Sequence, residues 1–494
     1  LTLGTRNANP APMFDLRPVA YVTGLLVMAL GVSMLIPMGI DLLYGSADWL
    51  VFLESAVLTT LVGGSMALAT ANGVGRGLSI QQTFLLTTGV WLALPLFGAL
   101  PFSLSELDAR PVDAFFEAMS GLTTTGATVL SGLDDMPRGI LFWRGMLQWF
   151  GGIGIIVVAM VFLPELRVGG MQIFRSEAFD TMGKVLPRAA EIAGRISWIY
   201  LFLTVLCVLS YLAVGLQPFD AVVHAMTTIS TGGFSTRDAS FGAFQGVPEY
   251  VASVFMILAS MPFVRYIQVV AGTARPILVD RQIRAYLATI LLITLAMTIY
   301  RLVANGDHIE HGFREGLFNV TSIISGTGFA SVDYQLWGTF PAVAFFFIGL
   351  IGGCAGSTAC SVKIFRYQLL FSSILAQIRA IHSPHGVFTP RFNGKRVDDD
   401  VLSSVMSFFV FFVVTLGVVS VLLGLTGLDF ITSVSGAATA VANIGPGLGE
   451  DIGPSGNFSG LNDTAKWILA VTMLIGRLEL LAVFVLFTPV FWRG

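Results

Sequence analysis

Four short stretches, each an apolar run closing in hydroxyl or small residues and a glycine, dictate what this chain folds into. The first is Asp113 to Val129, DAFFEAMSGLTTTGATV. An acid at its head favours a helix start, and Thr123, Thr124 and Thr125 lead into Gly126. About nine helical residues rise about 14 Å, near half of the roughly 30 Å hydrocarbon core of a bilayer. Such a half-helix ends at mid-membrane with the negative end of its dipole facing the centre, which favours a cation. Glycine there lets the backbone turn and bare its carbonyls. Asp220 opens DAVVHAMTTISTGGF, closing at Gly232; Arg314 and Glu315 open REGLFNVTSIISGTGF, closing at Gly328; Asp429 opens DFITSVSGAATAVANIGPG, closing at Gly445. One such glycine would speak for close helix packing. Four in equivalent settings predict a ring, and they stand too far apart for a solenoid, whose period is about 20 to 50 residues. The predicted carbonyl runs are Thr123, Thr124, Thr125 and Gly126; Ile229, Ser230, Thr231 and Gly232; Ser325, Gly326, Thr327 and Gly328; and Ala442, Asn443, Ile444 and Gly445. Backbone carbonyls in such a ring replace the hydration shell of a cation.

The rest of the composition agrees with a membrane setting. Of 494 residues, 55% are hydrophobic and 12% charged, which excludes an ordinary soluble domain and a nucleic-acid binder. Apolar runs predict an all-α, polytopic chain of ten spans. A leading hairpin covers 18–40 and 48–70; pairs at 80–100 and 138–163, 195–216 and 249–272, 284–304 and 339–371, and 401–424 and 464–490 flank the four half-helices. The expected units are a non-native or disordered 1–12, with Met13 the likelier natural start, a hairpin over 13–75, and repeats over 76–170, 171–280, 281–385 and 386–494. The first apolar run continues as a full-length span, so no cleavable signal is expected. Cys207, Cys354 and Cys360 fall in apolar segments, which argues against a disulfide framework.

Charge sets the orientation. Arg167, Arg175, Lys184, Arg188 and Arg195, then Arg265, Arg275, Arg281 and Arg284, then Lys363, Arg366, Arg379, Arg391, Lys395 and Arg396 occupy the linkers between repeats. The positive-inside rule makes those linkers and the N-terminus cytoplasmic. The half-helices then enter from outside, where Glu106, Asp108, Asp113, Glu117, Asp134 and Asp135 outnumber Arg110 and Arg138 and form an acidic mouth.

Two intramembrane features stand out. The second span of the third repeat is broken by Gly349, Gly352, Gly353 and Gly356, followed by Ser357, Thr358, Ala359, Cys360 and Ser361. Unwound backbone at that depth is tolerated where it lines a cavity, and a kinked, closely packed helix is the alternative. Arg477 lies deep in the last span, where a charge needs either a cavity or a partner on another helix; Glu479, two residues on, points elsewhere around the helix. Arg144 lies nearer its span's end, beside Gln148 and Trp149, and reads as structural. Enzyme signatures are missing: there is no HExxH and no nucleophile elbow. His382 and His385 are two imidazoles without further ligands, and GPGLG at 445–449 lacks the strand and helix of a dinucleotide site. No cofactor is expected on this chain.

TTTGAT at 123–128, LQWFGGIGIIV at 147–157, TISTGGFST at 228–236, IGGCAGST at 351–358, NIGPGLGE at 443–450 and GRLEL at 476–480 together resemble the Trk/Ktr/HKT superfamily of potassium transporters, and within it the bacterial TrkH and TrkG membrane subunits. The resemblance implies four pseudo-repeats around one pore, a homodimer, a cytoplasmic nucleotide-binding regulatory ring of the TrkA kind, and potassium uptake across a bacterial inner membrane. It also implies that Gly349 to Ser361 is an intramembrane gating loop and that Arg477 hangs under the filter as an electrostatic barrier. Ala359, Cys360 and Ser361 depart from the commoner glycine-rich continuation of that loop. A carrier coupling potassium to sodium or protons through broken helices is the alternative reading.

Overall fold

The computed structural model describes residues 15–73, 78–107, 109–158, 170 and 189–493. The expected leader 1–12, Met13, Asp108 and the first linker's Arg167, Arg175, Lys184 and Arg188 lie outside them. Among the described residues the chain is helical apart from one two-stranded ribbon, Arg391–Phe392 against Lys395–Arg396, antiparallel.

Among the described residues, seven helices are long and apolar enough to cross a membrane, or nine if two bent pairs each count as one span. Ten spans were expected, one of them broken, and the difference has local causes. Val247–Ala259 and Phe263–Val270 meet at 89°, with Pro262 between them unable to continue the first helix. Asp463–Arg477 and Leu481–Phe487 meet at 104°, because Glu479 and Leu480 take left-handed φ of 61° and 51°. The long span of the third repeat is two helices, Thr339–Gly349 and Ile364–His382, separated by an irregular loop.

The N-terminal hairpin, Arg17–Tyr44 and Trp49–Gly73, closes on small residues: a Cβ on Gly63 would lie 2.5 Å from the Met28 nitrogen. It joins the first repeat through the Asp41 carboxylate, which accepts the Gly139 amide at 2.7 Å, and through Phe52 edge-on to Trp143.

Four half-helices occupy the centre: Pro111–Leu122, Pro218–Ile229, Ile309–Ser325 and Phe430–Ala442. They run 12, 12, 17 and 13 residues, longer than the nine expected. Their starts also differ from the expectation. Only Asp429 caps its helix, accepting the Ile431 and Thr432 amides at 3.0 and 3.3 Å. Pro111 and Pro218 set the first helical φ in the first two, so Asp113 and Asp220 lie within the first turn, still favourable to the dipole. The third begins at Ile309, which leaves Arg314 and Glu315 inside it.

Candidate ion path

Each half-helix ends in the same way. Thr124, Thr231 and Asn443 take left-handed φ near 50°, and Gly326 takes 78°; their amides bond three residues back, to Gly121, Thr228, Ala440 and Ile323. That turn peels the chain off the helix axis. It also fixes equivalence: two residues on stand Gly126, Gly233, Gly328 and Gly445. In the second repeat the expected Gly232 is therefore one residue early, and Ile229 is the last residue of the helix. Two adjacent glycines hid the register.

The four ends meet in a closed circle. A Cβ on Gly126 would lie 2.1 Å from the Gly232 carbonyl oxygen, and on Gly233 1.9 Å from that of Thr327. On Gly328 it would lie 2.7 Å from the Gly445 nitrogen, and on Gly445 3.1 Å from the Gly126 carbonyl oxygen. Residues distant in sequence thus touch backbone to backbone, first to second to third to fourth to first. Gly126, Gly233, Gly328 and Gly445 also line one cavity of about 260 Å³.

Side chains behind the ring hold it. Thr123 and Thr125 hydroxyls pair at 2.8 Å, and Ser325 and Thr327 at 2.7 Å. Asn443 Nδ2 donates to Thr125 Oγ1 at 3.0 Å and to the Met473 carbonyl at 2.8 Å, tying the fourth strand to the first and to the last span. Further out, a helix side chain pins each outgoing strand, seven residues before the turn in the first three repeats and eight in the fourth, with a different residue each time. Glu117 accepts the Thr128 hydroxyl and Val129 amide at 2.9 Å; His224 Nε2 meets Ser235 Oγ at 3.0 Å; Asn319 bonds Ser331 at two points; Ser435 accepts the Leu448 amide at 2.9 Å. Because the chemistry changes while the task does not, sequence pattern gave no signal for this set.

Arg144 is structural, as expected. Its Nε donates to Glu117 at 2.7 Å and its Nη1 to the Ser235 carbonyl at 2.7 Å, with both charges buried. Glu117 is thus no part of an acidic mouth, and Asp113 is held by Arg110 and Lys466 at 2.8 and 2.6 Å. Near the ring the cavity carries Arg237 and Asp238. Arg237 bonds Asp134 at 3.2 Å and Asp220 at 2.9 Å; the hydrogen bond to Asp220 raises its guanidinium above the ordinary arginine value.

Beneath the ring lies the broken span. Cys354, Ser357, Thr358, Ala359 and Cys360 are buried, whereas Gly356 is partly open. The loop is stitched to its neighbours: Cys354 and Thr358 amides reach the Ser260 and Ala259 carbonyls at 3.1 and 3.3 Å, and the Ser361 amide reaches Ala442 at 3.1 Å. The Ser361 hydroxyl spans back to Gly349 at 2.7 Å. Gly352 and Gly353 sit where a Cβ would meet the Cys360 carbonyl oxygen at 2.4 Å and the Ala359 Cβ at 2.6 Å. The Cys360 thiol faces Thr124 Oγ1 at 3.8 Å, so this loop crosses directly under the innermost turn of the ring.

Arg477 reaches the same place. Its guanidinium contacts the Cys360 sulfur and the carbonyls of Thr358 and Gly151, the latter two at 3.4 Å, and its Nε has no partner. Among the described residues no carboxylate lies within ion-pair distance of it. Glu479 instead accepts Lys363 Nζ at 2.7 Å and the Arg366 guanidinium, joining the loop's exit to the bend of the last span. Lys363, Arg366 and Glu479 are buried. The lone charges among apolar residues were the available signal for that triad.

A family model for TrkH, described as a cation transport protein, matches residues 50–493. The Trk system potassium uptake protein TrkI of Halomonas elongata is 42% identical, over 96% of this chain and 97% of its own. The Trk system potassium uptake protein TrkH of Escherichia coli K12 is 34% identical, over 97% and 99%. The crystal structure of the potassium transporter TrkH from Vibrio parahaemolyticus superposes with a TM-score of 0.90 at 33% identity, covering 97% of this chain and all of that one.

Proposed function

Because this chain belongs to the TrkH family of cation transport proteins, we propose that it is a potassium-uptake pore subunit whose filter is made by the four turns that meet at Gly126, Gly233, Gly328 and Gly445. The observation that carries this reading is the circle of backbone contacts whose glycines line one cavity. Four helix ends of negative dipole converge there, and a monovalent cation is what such a ring favours. The loop from Gly349 to Ser361 is the gate, since it fills the space below the filter and hangs on hydrogen bonds that can open without unfolding a helix. Arg477, charged and without a carboxylate partner among the described residues, repels a cation waiting beneath the filter. The chain works as a homodimer in a bacterial inner membrane, and its basic cytoplasmic linkers dock a nucleotide-binding ring.

Purified chain in liposomes tests this. Potassium-selective current should reverse at the potassium equilibrium potential; a reversal potential that follows sodium or protons would replace the pore with a coupled carrier.

A further inference from the structure

Two of the four ring strands lack a hydroxyl staple: the fourth carries Ile444 before its glycine and is tied through the Asn443 side chain, and the second is held by a different helix. At the residue just before the central glycine, the first and third strands carry Thr125 and Thr327, and each threonine hydroxyl is stapled to the residue two before it. The second strand carries Gly232 there, so it has no hydroxyl to staple with Ser230. A side chain from another helix takes over. Gln148, fully buried on Arg138–Val157, donates its Nε2 to the Gly232 carbonyl at 2.6 Å and accepts the Phe234 amide on its Oε1 at 3.0 Å. One rigid amide therefore grips the residues on both sides of Gly233. It stands where a side chain at 232 would be: a Cβ on Gly232 would lie 2.3 Å from the Gln148 Cδ. Glycine at 232 and glutamine at 148 are two halves of one substitution for the hydroxyl staple.

We propose that Gln148 is a positioning residue that fixes the second filter strand and thereby sets the discrimination between potassium and smaller monovalent cations. The inference rests on the filter reading above. A bidentate amide holds a strand more firmly than a free turn, because both buried backbone groups it satisfies would otherwise be left unpaired. With the clamp removed, Gly233, already in a left-handed conformation at φ 79°, is free to bring its carbonyl inward and fit a smaller ion.

The test is a set of three variants reconstituted in liposomes, with potassium, rubidium and sodium fluxes measured separately. Gln148→Leu should keep potassium flux and lower the potassium-to-sodium ratio about tenfold, equivalent to about 1.4 kcal/mol. Gly232→Thr should lower the same ratio by displacing the Gln148 amide. The double variant Gln148→Ala with Gly232→Thr should regain selectivity, because the new hydroxyl can pair with Ser230 as Thr125 does with Thr123. An unaltered ratio in Gln148→Leu, a double variant no better than the worse single one, or failure of both Gln148→Leu and the double variant to fold would each overturn the proposal. A wild-type chain that carries no potassium flux at all would strike the filter reading itself.

Discussion

Changing Glu479 to Gln removes the carboxylate that Lys363 and Arg366 share in a buried cluster. The side chains of Lys363 and Glu479 are 6% and 5% exposed, so water cannot take over the lost role. Breaking a buried ion pair by neutralising one partner costs about 3 to 5 kcal/mol, most of it from the charge left behind. The structure says where that cost is felt. Lys363 is the exit of the loop that breaks the third-repeat span, with a left-handed φ of 74°, and Glu479 is the bend of the last span, with φ 61°. Each non-glycine residue so placed stores about 1 to 3 kcal/mol, kept only while its surroundings hold it. Glu479→Gln should therefore release the loop locally while leaving the half-helices intact. Amide hydrogen exchange read by mass spectrometry should show protection over 350–364 falling by on the order of 10² to 10³-fold, with 114–122 unchanged. Potassium flux in liposomes should rise in the same variant. The Lys363→Met and Glu479→Gln double variant should lose less than the sum of the two singles, since both break one contact. Exchange over 350–364 within threefold of wild type would refute the claim that the triad fastens the loop.

Gly126→Ala should abolish flux in a protein that still purifies as a single species, because the added carbon meets the Gly232 carbonyl at 2.1 Å in a backbone held at φ 82°; retained selective flux would show that this point is not on the path. Arg477→Ala should raise potassium flux and reduce its dependence on membrane voltage, as measured by current recording; a fall in flux from normally folded protein would make Arg477 a support for Cys360 and Gly151 instead. Glu117→Gln should lower stability by about 3 to 5 kcal/mol, seen as a lower thermal midpoint in detergent, because it strands the buried Arg144 guanidinium that Glu117 balances at 2.7 Å.

Hydropathy and four repeats of one local grammar made the architecture legible before any coordinates, because in a bilayer backbone satisfaction leaves few alternatives to helices. The half-helices, the broken third-repeat span and the deep Arg477 all followed from that constraint. Local sequence could not supply what depends on contacts across the ring. The register of the second strand is the clearest case: with Gly232 and Gly233 side by side, only the equivalence of Thr231 with Thr124 separates the one that faces the cavity from the one that admits Gln148. Two of the six acids expected at the mouth, Glu117 and Asp113, drop out for a related reason, since sequence counts charges and cannot see that they are already paired with Arg144, Arg110 and Lys466.

The same limit explains the LQWFGGIG segment, which sequence marks as unusual without saying why. Gln148 reaches the second strand, while a Cβ on Gly151 would lie 1.9 Å from the Leu122 carbonyl oxygen and one on Gly152 2.8 Å from the Ser230 Cβ. One helix thus presses its backbone against the ends of two half-helices and passes a side chain between them. Close approach of this kind needs glycine on the contacting face, so the two glycines and the glutamine form a single contact surface four residues apart and not three separate features. Arg477 donates to the Gly151 carbonyl, so the helix that braces the first two ring strands also touches the guanidinium below them. A shift of the last span at its bend is therefore felt at Gly151, and through Gly151 at Leu122, the residue from which the first ring strand departs.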